Sequence, residues 1–187
     1  PVVDTPTTPV VNAIAMVAGK DVTGTADADA ITGAISSLAS AGTFAGTQTI
    51  DGGAGADSIT LDISTAFAGF TTGKMTGVET VTLKNTGATS REFDASGVSG
   101  VETYAVDASN GAVSFKDVMD NASFDLSNQA SGALTIAYDT TAAMVTGTAD
   151  TLTVSVTNVG TANSAKATLA ANTAYVTVTA ASQEALD

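Results

Sequence analysis

The sequence predicts an all-β chain wound as a parallel β-solenoid, β-helix-like or β-roll-like, with irregular coils. Three observations predict it. Gly77-Val78-Glu79-Thr80-Val81-Thr82-Leu83 recurs as Gly100-Val101-Glu102-Thr103-Tyr104-Ala105-Val106, an offset of 23 that suits one coil. Asp-containing turns run directly into alternating apolar stretches, as in Asp29-Ala30-Ile31 and Asp57-Ser58-Ile59. The three prolines all lie at or before residue 9, so nothing after them interrupts a sheet ladder. A β-sandwich of short strands is the alternative, since it alternates too.

Composition narrows the possibilities. The 187 residues include no Cys, His or Trp, which excludes disulfides, thiol catalysis, histidine metal ligands and a Ser/His/Asp triad. Net charge is −13, from 19 acidic and 6 basic residues, so a nucleic-acid groove or an anionic-membrane patch lacks its basic charge. Only 13% of residues are charged, which argues against an acidic disordered tail. Thr and Val favour strands, while abundant Ala and Gly permit a thin, closely stacked core. The apolar run Val10 to Gly19 is too short to span a bilayer. No basic segment precedes it, as a secretory signal would require. The chain begins without methionine and has the look of a piece of something larger.

Residues 1–19 are expected to form a linker and lead-in segment, and residues 20–187 a single solenoid segment. Gly24 to Ile31 places Asp27 and Asp29 at alternating positions, so both carboxylates could face one side of an extended segment. Residues 35–46 suit a brief helix or an excursion between coils. Gly52-Gly53-Ala54-Gly55-Ala56-Asp57-Ser58-Ile59 fits the nonapeptide G-G-x-G-x-D-x-U-x, with U a large apolar residue. Its glycines permit tight turning that exposes carbonyl oxygens, and Asp57 adds a hard carboxylate oxygen suited to Ca²⁺. An ion there needs oxygens from a neighbouring coil, so the candidate donors are Asp51, Asp57, Asp27 and Asp29 with the carbonyls of Gly53 and Gly55. Asp150, in the weaker copy Gly147 to Leu152, is a further candidate. The plain alternative is a glycine-rich turn with a solvated aspartate. Phe67 and Phe70 are expected to cover an edge of the core.

In the 23-residue repeat, period-2 alternation turns Val81, Leu83, Tyr104 and Val106 inward and Thr80 and Thr82 outward. Glu79 and Glu102 either accept turn N–H groups or face water; stacked like charges repel, which favours water. Phe93-Asp94-Ala95-Ser96, Val106-Asp107-Ala108-Ser109 and Phe124-Asp125-Leu126-Ser127 share an apolar-Asp-x-Ser form in which Asp and Ser could close a turn. Three later strands put Leu134/Ile136/Tyr138, Leu152/Val154/Val156 and Val176/Val178 inward.

The motifs Gly52 to Ile59, Gly24 to Ile31, Gly147 to Leu152, Gly77 to Leu83 and Gly100 to Val106, together with the Thr/Ala/Gly-rich spacers, resemble bacterial surface-layer (S-layer) proteins with RTX-type calcium repeats. Related RTX-like secreted adhesins share this character. The resemblance implies an extracellular, cell-surface, calcium-stabilised solenoid, exported without a cleaved N-terminal signal. It implies self-association into a calcium-mediated two-dimensional lattice, with cell-surface glycan or lipopolysaccharide contacted through other domains. The chain carries one complete nonapeptide where the usual block stacks several. The expected function is structural and non-catalytic, without nucleic-acid binding or membrane insertion. A carbohydrate-binding adhesin module would need an exposed aromatic platform, whereas Tyr104, Tyr138 and Tyr175 alternate as core residues. A β-helix enzyme acting on acidic polysaccharide would need paired carboxylates across a cleft and more positive charge than Arg91 and five lysines supply.

Overall fold

Strands account for more than half of the described residues, and every pairing between them is parallel. The structure, a computed structural model, describes residues 10–38, 41–129, 132–139, 141–142 and 151–157, and the strands Ala165–Leu169 and Tyr175–Ala180. Fifteen strands occur among the described residues. β1 (Val11–Ala15), β3 (Ala28–Ile35), β5 (Ser58–Ile63), β7 (Thr80–Lys84), β9 (Thr103–Asp107), β11 (Ser123–Ser127), β13 (Thr151–Thr157) and β15 (Tyr175–Ala180) lie in chain order in one eight-stranded sheet. The strands between them fall in two smaller sheets. β2 (Val22–Thr25), β4 (Thr49–Gly53) and β6 (Lys74–Thr76) form the first; β8 (Arg91–Asp94), β10 (Val113–Val118), β12 (Gly132–Tyr138) and β14 (Ala165–Leu169) form the second. The chain thus returns to the large sheet at every second strand, one rung further along.

The offsets seen in the sequence are the rungs. Ile31 pairs with Ile59 and Val81 with Tyr104, reproducing the spacings of 28 and 23. β1 pairs with β3, so among the described residues the ladder already includes Val11–Ala15, within the stretch 1–19 expected to be linker and lead-in. No helix forms among the described residues of 35–46: Ile35 ends β3, Leu38 is exposed and Phe44 is buried.

The interior is built from cross-strand columns. On the inward face of the large sheet, Ile14, Ile31, Ile59, Val81, Tyr104, Phe124 and Val154 succeed one another rung by rung. Leu61, Leu83, Val106, Leu126 and Val156 form a second column. From the small sheets come Val22, Ile50 and Met75, and Phe93, Phe115 and Ile136. The aromatic rings concentrate in this interior. Phe44 meets Phe67 at 4.8 Å, Phe67 stacks on Phe93 at 5.0 Å, and Phe115 meets Tyr104 at 4.9 Å and Phe124 at 5.5 Å. Phe67 is buried and Phe70 partly so, both against the core as expected. Leu134, Ile136, Tyr138, Leu152, Val154 and Val156 are buried too; the side chains of Val176 and Val178 lie outside the described residues.

Polar side chains close the corners. Asn85 is fully buried; its N–H donates to Ser109 Oγ (2.8 Å) and its Nδ2 to the carbonyls of Thr89 (2.8 Å) and Ala112 (3.0 Å). Of the three Asp-x-Ser segments, only the first closes its own turn: Asp94 Oδ1 accepts the Ser96 N–H at 2.9 Å. Asp107 instead accepts Ser127 Oγ and Asn128 Nδ2, each at 2.8 Å, from the next rung. Those bonds, chiefly, hold its carboxyl below the usual carboxylate range. Asp125 lies within β11, not in a turn. One residue past the Asp107–Ser127 pair, Ala108 and Asn128 both take φ of +49°. Asn tolerates this left-handed conformation and Ala does not. Ala108 is exposed, so its methyl contributes little burial. Left-handed backbone costs an L-residue about 1–2 kcal/mol and glycine's extra freedom when unfolded about 0.5–1 kcal/mol. Ala108→Gly is therefore expected to stabilise the chain by roughly 0.5–1 kcal/mol in a urea titration, and a loss of stability would contradict the strain argument.

Candidate carboxylate corner

The turns from the three-stranded sheet into the large sheet stack on one another, and they hold most of the predicted ligands. Asn12 pairs with Asp29, and Asp29, Asp57 and Glu79 each stand one residue before the aligned positions Ala30, Ser58 and Thr80. One edge of this sheet corner is therefore a column of carboxylates. Each carboxylate meets a backbone amide. Thr25 N–H donates to Asp29 Oδ2 (2.6 Å), Asp29 N–H to Asp57 Oδ1 (2.7 Å), and Asp57 N–H to Glu79 Oε2 (2.6 Å). Carbonyls run the other way: Glu79 and Thr80 N–H donate to Asp57 O at 3.0 and 3.1 Å, and Glu102 and Thr103 N–H both donate to Glu79 O at 2.9 Å. The carboxylates supply acceptors where the turning backbone leaves the regular ladder, as buried amides require.

Glycine makes the corner possible. Gly24, Gly52 and Gly77 align across the three turns. A Cβ on Gly24 would overlap the carbonyl of Gly52, and one on Gly52 the carbonyl of Gly77. The carboxylates fold back over the same glycines. Asp29 Oδ2 lies 2.6 Å from the Cβ position of Gly24, and Asp57 Oδ2 lies 2.9 Å from that of Gly52. Gly53 and Gly55, with φ of +96° and +125°, carry the turn over the backbone of Thr25 and Asp27.

Asp57 is the anomalous member. It is 1% exposed, yet its Oδ2 has no hydrogen-bond partner. Burial pushes its carboxyl above the usual range; the Asp29 amide opposes that, while the charges of Glu79, Asp29 and Asp51 add to it. The Gly77 carbonyl and Asp57 Oδ2 both come close to the position that a Cβ on Gly52 would occupy.

The predicted ligands divide accordingly. Asp29 and Asp57 are brought together and buried. Asp51 is exposed, accepts Gly53 N–H at 3.1 Å, and acts on Asp57 through its charge. Asp27 does not share a face with Asp29: it lies exposed in the bend before β3, because the chain turns there and breaks the alternation. Asp150 lies outside the described residues. Among the described residues, no three His, Cys, Asp or Glu side chains are grouped to hold a metal ion. Among the described residues, Asp57 Oδ2 is the one buried carboxylate oxygen without a hydrogen-bond partner. Glu79, expected to face water, belongs to the corner, while its repeat partner Glu102 is exposed. Its signal in the sequence was its place, like Asp57, immediately before an alternating strand. No family model matches the chain, and neither a curated protein nor a solved structure matches it.

Proposed function

We propose that this chain is a non-catalytic, calcium-stabilised structural segment of a bacterial surface-layer protein, wound as a parallel β-solenoid. Support for the solenoid is the return to one parallel sheet at every second strand, in chain order, with rung spacings equal to the sequence repeats. A sandwich of the immunoglobulin kind is built from antiparallel strands instead. Such a coil gains stability rung by rung, and Thr32, Thr60 and Thr82 align as one outward column over three rungs, with Asp62 and Lys84 on the same face.

The observation that carries the calcium reading is the unpartnered, buried Asp57 Oδ2, on which the charges of Glu79, Asp29 and Asp51 act. A divalent cation there would ligate Asp57 Oδ2 and offset the charges around it, and its binding energy becomes folding energy. The chain would stay loosely folded where calcium is scarce and consolidate outside the cell. Calcium shared between acidic surfaces would join copies into a lattice. A sugar-binding adhesin module is less well supported, because Tyr104 and Tyr138 are buried.

The test is a thermal melt followed by far-UV circular dichroism, in EDTA and in millimolar calcium. Calcium at about 100 times its Kd contributes about 2.7 kcal/mol, which raises Tm by roughly 5–10 °C in a chain of this size. Asp57→Asn is expected to lose most of that increment. In EDTA it should melt no lower than the natural chain, since the amide still accepts the Asp29 N–H and adds a donor. An unchanged Tm for the natural chain in calcium would refute calcium-coupled folding.

A further inference from the structure

We propose that Lys116 is the built-in counter-ion of a second glycine-stacked carboxylate turn, around Asp94, and that the response of this chain to calcium is confined to the first, around Asp57. The confinement rests on the calcium reading above; the role of Lys116 does not. The second turn follows β8, where Asp94-Ala95-Ser96 leaves the strand. It is built like the first. A Cβ on Gly46 would overlap the carbonyl of Gly69, and one on Gly69 would overlap the Ser96 hydroxyl and lie 3.1 Å from Asp94 Oδ1. Backbone bonds fix the turn to both neighbours: Phe70 N–H donates to Ser96 O at 3.1 Å, and Ala95 N–H to Lys116 O at 2.7 Å.

Asp94 is 7% exposed, so its charge needs partners. Both oxygens have one. Oδ1 accepts the Ser96 N–H at 2.9 Å, and Oδ2 accepts from Lys116 Nζ at 3.1 Å. Burial alone would raise the Asp94 carboxyl; the contacts with Ser96 and Lys116 outweigh it and hold the group below the usual carboxylate range. Asp57 shows the reverse. One of its oxygens is unpartnered, the charges acting on it are acidic, and its carboxyl lies above the usual range. One rung beyond Asp57 stands Glu79, a second acid, whereas one rung beyond Asp94 stands Lys116. A carboxylate folded over stacked glycines is thus neutralised at Asp94 by an ammonium of the chain itself.

The strand places that ammonium. Lys116 on β10 pairs with Asp94 on β8, so its side chain crosses a single rung. The register of β10 shifts between Phe115 and Val118, and Asp117 takes φ of +52°. Such a bulge re-aims side chains. Phe115 and Val118 are both buried, while Lys116 is exposed and Asp117 half-buried. Asp117 Oδ2 meets Lys116 Nζ at 2.9 Å, a second carboxylate contact that holds the ammonium at the turn. Stability in a stacked coil is local. Where calcium is scarce, the Asp94 turn therefore stays ordered while the Asp57 corner loosens.

Hydrogen exchange on the full 187-residue chain, resolved to single amides, tests both halves. Relative to EDTA, millimolar calcium should slow the Asp29 and Asp57 amides about tenfold or more and change the Ala95 and Ser96 amides by less than about twofold. Lys116→Met keeps the aliphatic stem and removes the charge. It should speed the Ala95 and Ser96 amides about tenfold, in EDTA and in calcium alike. Lys116→Arg should leave them near their natural rates. The double variant Asp94→Asn with Lys116→Met should recover most of the protection, because a neutral amide needs no counter-ion. Unchanged Ser96 exchange in Lys116→Met would overturn the counter-ion role. So would a double variant that recovers nothing, which would indicate lost packing instead of lost charge. Calcium slowing Ser96 as much as Asp57 would overturn the confinement with the calcium reading intact. Calcium slowing no amide would refute the calcium reading and the confinement together, and Lys116→Met in EDTA would still decide the counter-ion.

Discussion

Gly52→Ala is expected to lower the melting temperature by roughly 10 °C, the equivalent of about 3 kcal/mol in a chain of this size. The added methyl would overlap the carbonyl oxygen of Gly77 and come within 2.9 Å of Asp57 Oδ2. Neither group can step aside cheaply. The first is backbone in the neighbouring turn, and the second belongs to a carboxylate whose other oxygen holds the Asp29 amide. Relief requires the two turns to separate, which lengthens the bonds from Asp29 to Asp57 and from Asp57 to Glu79 together. Gly87→Ala is the matched control. A Cβ there meets only Asn85 Oδ1, at an ordinary 3.6 Å, and the residue is exposed. It should change stability by no more than about 0.5 kcal/mol. Comparable melts for the two variants would mean that the three turns are not stacked as described.

Phe115→Ala is expected to cost about 4 kcal/mol, measured by urea titration. Phe115 is fully buried on β10 and bridges two sheets. Its ring meets Tyr104 and Phe124 of the large sheet at 4.9 and 5.5 Å, and Phe93 of its own sheet at 6.2 Å. Truncation loses the transfer energy of the ring, leaves a cavity, and removes edge-to-face contacts worth about 0.5–1.5 kcal/mol each. Collapse is hindered because the surrounding rings are held by parallel ladders on both sides. Met119→Ala, three residues beyond the strand's centre and 44% exposed, should cost less than about 1 kcal/mol. Equal costs at the two positions would place the interior elsewhere.

Both effects arise from stacking, and stacking was only half legible in the residues. Val81, Leu83, Tyr104 and Val106 could be assigned inward because the side-chain period of a strand is local and fixed at two. Their pairing could be anticipated because the Gly-Val-Glu-Thr segments repeat at the spacing of a rung. Glu79 and Glu102 looked equivalent by the same logic, yet one is an amide acceptor in the corner and the other is exposed. What separates them is the neighbour: Glu79 follows a rung with a glycine-rich turn and an Asp57 amide to satisfy. The Asp27 and Asp29 pair failed for a related reason. Alternation holds only within a strand, and β3 begins at Ala28, between them.

Legible in the residues alone were the all-β character, the inward residues of most strands, the rung spacings of 28 and 23, and the turn at Gly52 to Asp57. Each depends on short-range chemistry: β-branched and alternating side chains, glycine, and the absence of proline after residue 9. Which atoms meet between rungs follows from the packing of one turn on the next. The carboxylate-to-amide chain through Asp29, Asp57 and Glu79, the unpartnered oxygen of Asp57 and the overlap that forbids a side chain at Gly52 all depend on the stagger of one rung against the next. That stagger is set by turns of unequal length packing on one another, a property that no single turn carries in its own residues.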